Sequence, residues 1–373
     1  MINVFLAFVV SGIISYTAMP FIINLADKIG AIDVPKDARR VHSKPIPRLG
    51  GLGIFFGFLI SALCFIHPNE KVLATLLASG LIVCMGIIDD ISPLKAKTKL
   101  LIQIFCAGII TWAGIRINFF TNPFEDDILI VLNLLSIPVT IFWIVGITNT
   151  VNLIDGLDGL AAGISTIAAL TLAIVALTSG QYITATLLMG VVGGAVGFLP
   201  YNFNPAKIFM GDTGSLFLGF ILAVASIIGT IKGATVLAVI IPLFALAIPI
   251  LDTTFAIIRR FLAGKPIMGA DKGHLHHRLL SKGLSQKKTV VYLYAVSALI
   301  GASSLLLQKS DFITGIFVIL GNLLIVLIGV KKLRILEEVK SEIQETKAEK
   351  DNESEPAQNL MKSPKKKGDN KSR

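Results

Sequence analysis

The chain is predicted to be an all-α polytopic membrane protein with about eleven transmembrane helices, its N-terminus outside and its C-terminus in the cytoplasm. Its mean hydropathy is +0.77, 54% of its 373 residues are hydrophobic and only 16% are charged. This composition excludes an ordinary soluble protein. Apolar segments of about 20 residues, the length that a bilayer requires, follow one another as far as residue 330. Basic residues concentrate in alternate loops, which predicts the orientation.

The predicted spans follow one another with short connections. They lie near residues 3–25, 49–67, 72–88, 100–117, 128–148, 159–178, 183–201, 215–231, 234–258, 289–307 and 313–330. The first segment contains no basic residue before Lys28, so it is predicted to be a retained span and not a cleaved signal peptide. Pro242 and Pro249 predict a kink or a break in the ninth segment.

Residues 1–330 are predicted to form one integral membrane domain, because no hydrophilic stretch within them is long enough for a separate soluble domain. Apolar side chains keep a helical spacing just beyond this domain, which predicts a cytoplasmic helical extension over residues 331–349. Residues 350–373 are rich in Lys, Glu, Asn and Ser, and they are predicted to be a disordered charged tail.

The net charge of +10 does not predict nucleic-acid binding, because most basic residues lie in one set of alternate loops, which we assign to the cytoplasm. The opposite loops hold only Lys71, Arg116, Lys232 and Lys309. Four motifs with acidic or histidine side chains fall on the cytoplasmic side. Charge is costly beside lipid, so acidic residues at several membrane edges predict convergence on a cation and the phosphates it binds.

The first motif is the pair Asp89-Asp90 at the end of the third span. Two adjacent carboxylates repel each other unless a cation lies nearby, and Mg²⁺ commonly joins one or two carboxylates to substrate phosphates. The alternative is a solvated helix end that has Lys95, Lys97 and Lys99 as counter-charges.

The second motif runs from Asn152 to Gly159 and contains Asp155 and Asp158, which share one face if the run is helical. Its glycines permit close approach of a ligand. The loop has no basic residue, which favours a metal or a sugar-nucleotide hydroxyl as the partner of these acids. The alternative is an ordinary loop in which Asp158 caps the sixth span.

The third motif, Phe209 to Ser215, ends a loop and begins a helix. A helix N-terminus attracts anions, so Asp212 can ligate a metal that is already bound to a phosphate. The alternative is that Thr213 or Ser215 simply caps the helix. Phe209 either stacks on a nucleobase or packs inside the protein.

The fourth motif contains His274, His276 and His277, with Asp271 before them. Nearby Lys and Arg and the absence of Cys argue against zinc and favour a phosphate-binding or proton-handling role, although a loop without a role is the alternative. Asp252 lies inside the ninth span, where a carboxylate either has a function or pairs with a neighbouring helix.

At these residues the chain resembles the polyprenyl-phosphate N-acetylhexosamine-1-phosphate transferase family, glycosyltransferase family 4, and within it the bacterial undecaprenyl-phosphate N-acetylglucosamine-1-phosphate transferases. The resemblance begins at His42-Ser43-Lys44-Pro45-Ile46-Pro47-Arg48-Leu49-Gly50-Gly51, ends at His277-Arg278, and includes five motifs in order. It covers nearly the whole membrane domain but not the tail.

The resemblance implies that a membrane polyprenyl phosphate attacks the sugar-linked phosphorus of a UDP-N-acetylhexosamine, so that UMP leaves. It implies Mg²⁺, with Mn²⁺ as an alternative, held by Asp212 with Asp89 and Asp90. The implied catalytic residues are Asp89, Asp90, His276 and His277. The implied substrate contacts are Lys44, Arg48, Asn152, Asp155, Asp158, Asn202, Phe209, Arg259, His274 and Arg278. The enzyme would span the bacterial cytoplasmic membrane, with its active site on the cytoplasmic face, and a homodimer is left open.

The segment His274-Leu275-His276-His277, with Arg259-Arg260 upstream, favours UDP-N-acetylglucosamine and undecaprenyl phosphate as substrates. The related muropeptide transferases usually carry three consecutive histidines at this place. Another UDP-N-acetylhexosamine or the muropeptide nucleotide remains an alternative donor. A secondary transporter is an alternative of another class, but transporters place polar groups near the midplane, whereas this chain concentrates them on one side.

Overall fold

The computed structural model describes residues 1–34, 45–121, 129–230, 236–264, 273–308, 310 and 312–332. Lys44, Asp271, residues 333–349 of the predicted helical extension and residues 350–373, the predicted tail, lie outside the described residues, so the expectations placed on them stay predictions. Residues 331 and 332 belong to the end of the last described helix.

Helices dominate the described part of the chain, as predicted. In chain order they are α1 Ile2–Ile29, α2 Gly51–Phe65, α3 Glu70–Ile91, α4 Ala96–Trp112, α5 Ser136–Leu153, α6 Leu160–Thr178, α7 Tyr182–Asn202, α8 Gly211–Thr230, α9 Val236–Ala245, α10 Ala247–Leu262, α11 Leu275–Ser281, α12 Gln286–Leu307 and α13 Phe312–Lys332. A 3₁₀ turn at Asn133–Leu135 leads into α5.

Two small antiparallel strand pairs were not predicted, because strands of two or three residues leave no periodic pattern. They join β1 Ile32–Asp33 with β2 Ile46–Pro47, and β3 Phe119–Thr121 with β4 Leu129–Val131. The first pair matters for the site, since Pro47 at the end of β2 accepts a backbone hydrogen bond from Phe209 N at 2.7 Å.

Eight described helices are long and apolar enough to cross a membrane by length and composition, which supports the polytopic membrane class. They are α1, α3, α5 with its preceding turn, α6, α7, α8, α12 and α13. Four further described helices in predicted spans are shorter: α2 with 15 residues, α4 with 17, α9 with 10 and α10 with 16. The count of eleven crossings stays a prediction.

The ninth predicted span, 234–258, contains two helices, α9 and α10, so the kink or break that Pro242 and Pro249 predict is confirmed as a break. The break falls at Leu246, which has φ −106° and ψ 18°. Pro249 has no backbone N–H to donate to Ala245, the last residue of α9, and its ring crowds that carbonyl. The chain therefore changes direction before α10 begins.

The core is built around α8, whose Phe217, Leu218 and Phe220 are fully buried. Helices α2, α3 and α5 all pack against it. Glycines permit the closest approaches: a Cβ at Gly51 would overlap the backbone of Gly214, and a Cβ at Gly86 would overlap the backbone of Thr213. These contacts bring the start of α2 and the end of α3 against the start of α8.

Replacing Gly86 by alanine is expected to push α3 away from α8, because the obstructing atoms are backbone and cannot rotate aside. Overpacking of this kind costs about 1–3 kcal/mol. The measurement is thermal unfolding in detergent. Gly80→Ala in the same helix is the matched control, since its Cβ would meet only Phe55 Cζ at 3.9 Å. Equal unfolding temperatures for the two variants would contradict the close α3–α8 contact.

Candidate active site

The start of α8 is held by a carboxylate from another helix. Asp90, at the end of α3, accepts hydrogen bonds from the backbone N–H groups of Asp212 and Thr213 at 2.9 and 3.0 Å. The Thr213 hydroxyl also donates to Asp90, at 2.7 Å. The expected alternative of a cap by Thr213 or Ser215 is therefore wrong, because the acceptor at this N-terminus comes from α3. The arrangement anchors Asp212 in the first turn of α8.

Arg48 completes the surroundings of Asp90. Its Nε and Nη2 both lie 3.0 Å from Asp90 Oδ1, and Nη2 is 4.0 Å from Asp212 Oδ1. The Asp90 side chain has no exposed surface. Two N–H groups, one hydroxyl and a guanidinium thus surround this carboxylate, which leaves no face for a substrate or a metal. The structure places Asp90 behind the site as an anchor, unlike the direct catalytic and metal-binding positions expected for it.

Asp89, unlike Asp90, is connected to Asp212 through a lysine. Lys99 Nζ, in the first turn of α4, lies 3.2 Å from Asp89 Oδ2 and 2.8 Å from Asp212 Oδ2. Asp89 Oδ1 accepts the Leu94 N–H at 2.7 Å. The expected lysine counter-charge is therefore present, but it pairs with Asp89 and Asp212 rather than with both adjacent carboxylates of α3.

The end of α5 adds an amide to this cluster. Asn152 Nδ2 donates to Asp212 Oδ1 at 3.2 Å and to Ser215 Oγ at 2.8 Å. Asp155 follows in the connection to α6. Burial raises the pKa of Asp155 to about 7, and the negative charges of Asp212 and Asp90 add to this effect. A cation that bound beside Asp155 would favour its ionised form.

Asp158 and Asn202 tie the connection between α5 and α6 to the loop before α8. Asp158 Oδ2 accepts from Asn204 Nδ2 at 2.9 Å and from the Ala206 N–H at 3.0 Å. Asn202 accepts the Gly159 N–H at 2.9 Å and donates to the Ile208 carbonyl at 2.9 Å. The alternative in which Asp158 caps α6 is wrong, since its oxygen accepts hydrogen bonds from the other loop.

A cavity of about 750 Å³ opens between these loops, which is large enough for a drug-sized or nucleotide-sized ligand. Eight of the residues singled out in the sequence line it: Arg48, Asn152, Asp155, Asp158, Asn202, Phe209, Asp212 and His277. Four polar residues of its wall were not named as site residues from the sequence: Asp33 in β1, Asn204 and Lys207 in the loop before α8, and Gln286 at the start of α12.

The remaining predicted residues of the histidine segment lie behind the cavity wall. Arg259, His274, His276 and Arg278 are all buried, between 2% and 7% exposed. Arg259 Nη1 and Arg278 Nε each donate to the Gly273 carbonyl at 2.8 Å. Burial lowers the pKa of His276 to about 3, with the neighbouring His277 as the next cause, so its imidazole is uncharged near neutrality. These positions favour a supporting role for the four residues, and only His277 reaches the wall.

The oxygen atoms of the site suit a divalent cation whose coordination is completed by a substrate phosphate. Within the described ranges, no three His, Cys, Asp or Glu side chains form a metal site by themselves. Six carboxylates nevertheless lie in or directly behind the wall: Asp33, Asp89, Asp90, Asp155, Asp158 and Asp212. Arg48 and Lys99 pair with three of them, Asp89, Asp90 and Asp212. Mg²⁺ usually takes only one or two carboxylates together with substrate phosphates and water. Asp212, which lines the cavity, is the fitting ligand, with Asp89 beside it.

Comparison with known proteins identifies the family of this chain. The glycosyl transferase family 4 model matches residues 72–230. The chain is 43% identical over 320 residues to a probable undecaprenyl-phosphate N-acetylglucosaminyl 1-phosphate transferase of Bacillus subtilis, which covers 86% of this chain and 89% of that relative. It is 36% identical over 314 residues to a decaprenyl-phosphate N-acetylglucosaminephosphotransferase of Mycolicibacterium smegmatis, covering 76% of this chain and 77% of the relative.

A more distant relative is a phospho-N-acetylmuramoyl-pentapeptide-transferase of Enterococcus faecalis, 34% identical over 249 residues, which are 61% of this chain and 75% of the relative. The chain therefore belongs to glycosyl transferase family 4, a family of sugar-phosphate transferases, and it is a multi-pass membrane protein. The family resemblance read from the motifs is confirmed.

Proposed function

We propose that the protein transfers N-acetylglucosamine-1-phosphate from UDP-N-acetylglucosamine to undecaprenyl phosphate. The products are undecaprenyl-diphospho-N-acetylglucosamine and UMP, as in the first membrane step of a cell-envelope polysaccharide. The proposal is supported by the 43% identity to the Bacillus subtilis relative along nearly its whole length. The observation that carries it is the cavity-facing Asp212, held by Lys99 and Asn152 beside Asp89.

The reaction replaces one diphosphate bond by another. An oxygen of the lipid phosphate forms a bond to the sugar-linked phosphorus, the bond from that phosphorus to the UMP oxygen breaks, and UMP takes the electron pair. Little covalent work is required of the protein, so positioning and charge neutralisation dominate. Bound Mg²⁺ would supply neutralising positive charge to the diphosphate. Arg48 and Lys99 lie where they can hold anionic oxygens near Asp212.

The nucleotide end is assigned to the part of the cavity that Phe209, Asn202 and Asp158 line. Phe209 offers an aromatic face for a base. Asn202 and Asp158 keep the two loops together through the hydrogen bonds to Gly159 and Ala206. His277 and Lys207 also line the cavity, and we assign them to phosphate or sugar oxygens. The catalytic role given to His277 is part of this proposal.

We place the active site on the cytoplasmic face of a bacterial inner membrane. The basic loops that flank α1, α3 and α10 support this orientation, with the N-terminus outside, eleven crossings and the C-terminus in the cytoplasm. The donor is water-soluble and made in the cytoplasm, whereas the acceptor is a lipid. A site at the cytoplasmic edge is open to both.

The test is UMP release by the purified protein from UDP-N-acetylglucosamine in the presence of undecaprenyl phosphate and Mg²⁺. We expect release that depends on both the lipid and the cation. A competition panel with UDP-N-acetylgalactosamine and the muropeptide nucleotide identifies the preferred sugar, and decaprenyl phosphate tests the lipid. A folded protein that released no UMP with any of these donors or with Mn²⁺ would refute the proposal.

A further inference from the structure

Asp252, a buried carboxylate on α10, is bonded to the start of the histidine segment. It is 3% exposed. Its Oδ1 accepts the Leu275 N–H at 2.7 Å, and its Oδ2 lies 2.9 Å from His274 Nδ1. This geometry suits a His274 imidazole that donates its Nδ1–H to the carboxylate. One side chain thus caps the start of α11 and orients the neighbouring imidazole.

The same helix holds the segment at a second point. Arg259, seven residues and about two turns after Asp252, donates to the Gly273 carbonyl. Gly273 has no room for a side chain, because a Cβ there would overlap the Arg259 guanidinium. Helix α10 therefore holds the chain on both sides of His274. Arg259 binds the carbonyl before it, and Asp252 binds the N–H after it. Two attachments determine the direction in which the following residues run.

Contacts between histidine rings connect these two attachments to the cavity. The rings of His274 and His276 are parallel within 5°, with centroids 5.8 Å apart, and the His276 and His277 centroids are 4.3 Å apart. His276 packs against Gly156, where a Cβ would overlap its Nε2. Neither ring nitrogen of His276 has a hydrogen-bond partner among the described residues, so packing alone positions this ring. His277 and Gly156 both line the cavity.

We propose that Asp252 is a positioning residue of the transferase, which holds His274 to His277 so that His277 and the Asp155–Asp158 loop face the substrates. The inference rests on the proposed function for its kinetic test. Asp252 touches no substrate, since it acts through His274. The sequence left two alternatives for this carboxylate, a function or a pairing with a neighbouring helix. Asp252 pairs with the start of the histidine segment, and we assign its function to that pairing.

The first test compares Asp252→Asn with the parent in UMP release. Asparagine keeps an oxygen that accepts from the Leu275 N–H, but its NH₂ group would face His274 Nδ1, where the second carboxylate oxygen now lies. We expect kcat/KM to fall about tenfold, the lower end of the loss that follows removal of a residue orienting a functional histidine. Thermal unfolding should stay close to the parent. Thr254→Val, exposed on the same helix, is the matched control and should keep parental kinetics.

The second test is a double-mutant cycle with His277→Asn. If Asp252 acts through the histidine segment, the double variant should be no slower than His277→Asn alone, because coupled residues give non-additive effects. Multiplying losses would overturn the inference and assign Asp252 to general stability. Parental rates in Asp252→Asn would overturn it as well.

A third readout does not depend on turnover, which separates this inference from the proposed function. Nitrogen-15 spectra of labelled histidine in the folded protein report which ring nitrogen is protonated. We expect one imidazole with its proton on Nδ1 in the parent and a changed signal in Asp252→Asn. Unchanged histidine spectra would refute the positioning role even if the enzyme were active. If the parent protein released no UMP, the proposed function would be refuted. The histidine spectra would still decide whether Asp252 positions the histidine segment.

Discussion

Replacing Asp212 by asparagine is expected to lower UMP release about 10²–10³-fold at saturating Mg²⁺, the loss typical when a key electrostatic stabiliser is removed. Asp212 lines the cavity at the first turn of α8, and its oxygens meet Lys99 and Asn152. The amide keeps the size and one acceptor but loses the charge that a divalent cation needs. The Mg²⁺ concentration for half-maximal rate should therefore rise as well.

The measurement is a Mg²⁺ titration of UMP release with both substrates saturating. Asp27→Asn, an exposed carboxylate at the end of α1, is the matched control and should behave as the parent. Asp252→Asn should lose less activity than Asp212→Asn, and its Mg²⁺ dependence should stay parental. Equal rates for Asp212→Asn and the parent at limiting Mg²⁺ would remove Asp212 from the metal ligands.

Replacing Asp90 by asparagine is expected to destabilise the protein by about 3 kcal/mol. The side-chain NH₂ group of asparagine is a hydrogen-bond donor, and it would face N–H and O–H groups that now donate to a carboxylate oxygen. The two N–H groups of Asp212 and Thr213, the Thr213 hydroxyl and Arg48 all donate to Asp90. Solvent around Arg48, whose side chain is 26% exposed, moderates the loss of that pair. Activity should fall because the start of α8, and Asp212 with it, shifts.

Asp89→Asn is the companion variant, since it changes the same residue type one position earlier. Its amide oxygen can still accept the Leu94 N–H, so we expect a smaller loss of stability with a marked loss of activity. Thermal unfolding in detergent and UMP release measured on the same samples separate the two effects. An Asp90→Asn protein with parental stability and no activity would show that Asp90 takes part in the chemistry and is not an anchor.

Much of the site was predictable because its residues lie at the ends of apolar segments. Spans that must cross a bilayer place their polar ends at the surface, and the charge of the loops assigns that surface. This reasoning correctly brought Asp89, Asn152, Asp155 and Asp212 together from three different helices and loops. It also predicted the break between α9 and α10 from two prolines.

The different contacts of Asp89 and Asp90 were not predictable from the sequence. Adjacent residues of an α-helix point about 100° apart, so only one of them can face a given neighbour. Which one does depends on the rotation of α3 against α8, and that rotation follows from the close contact of Gly86 with Thr213. In the same way, three lysines were candidate counter-charges, and only the packing of α4 selects Lys99 for Asp89 and Asp212.

The amino-acid sequence by itself determined the membrane class, the order of the helices, the family and the set of acidic and histidine residues near the site. These properties depend on hydrophobicity, on spacing along the chain and on local motifs. The tertiary structure decided which carboxylate anchors α8, which ones face the cavity and that Asp252 grips the histidine segment. Those outcomes depend on how helices distant in the chain rotate and pack against each other, because a side chain's partners are set by the surfaces that meet.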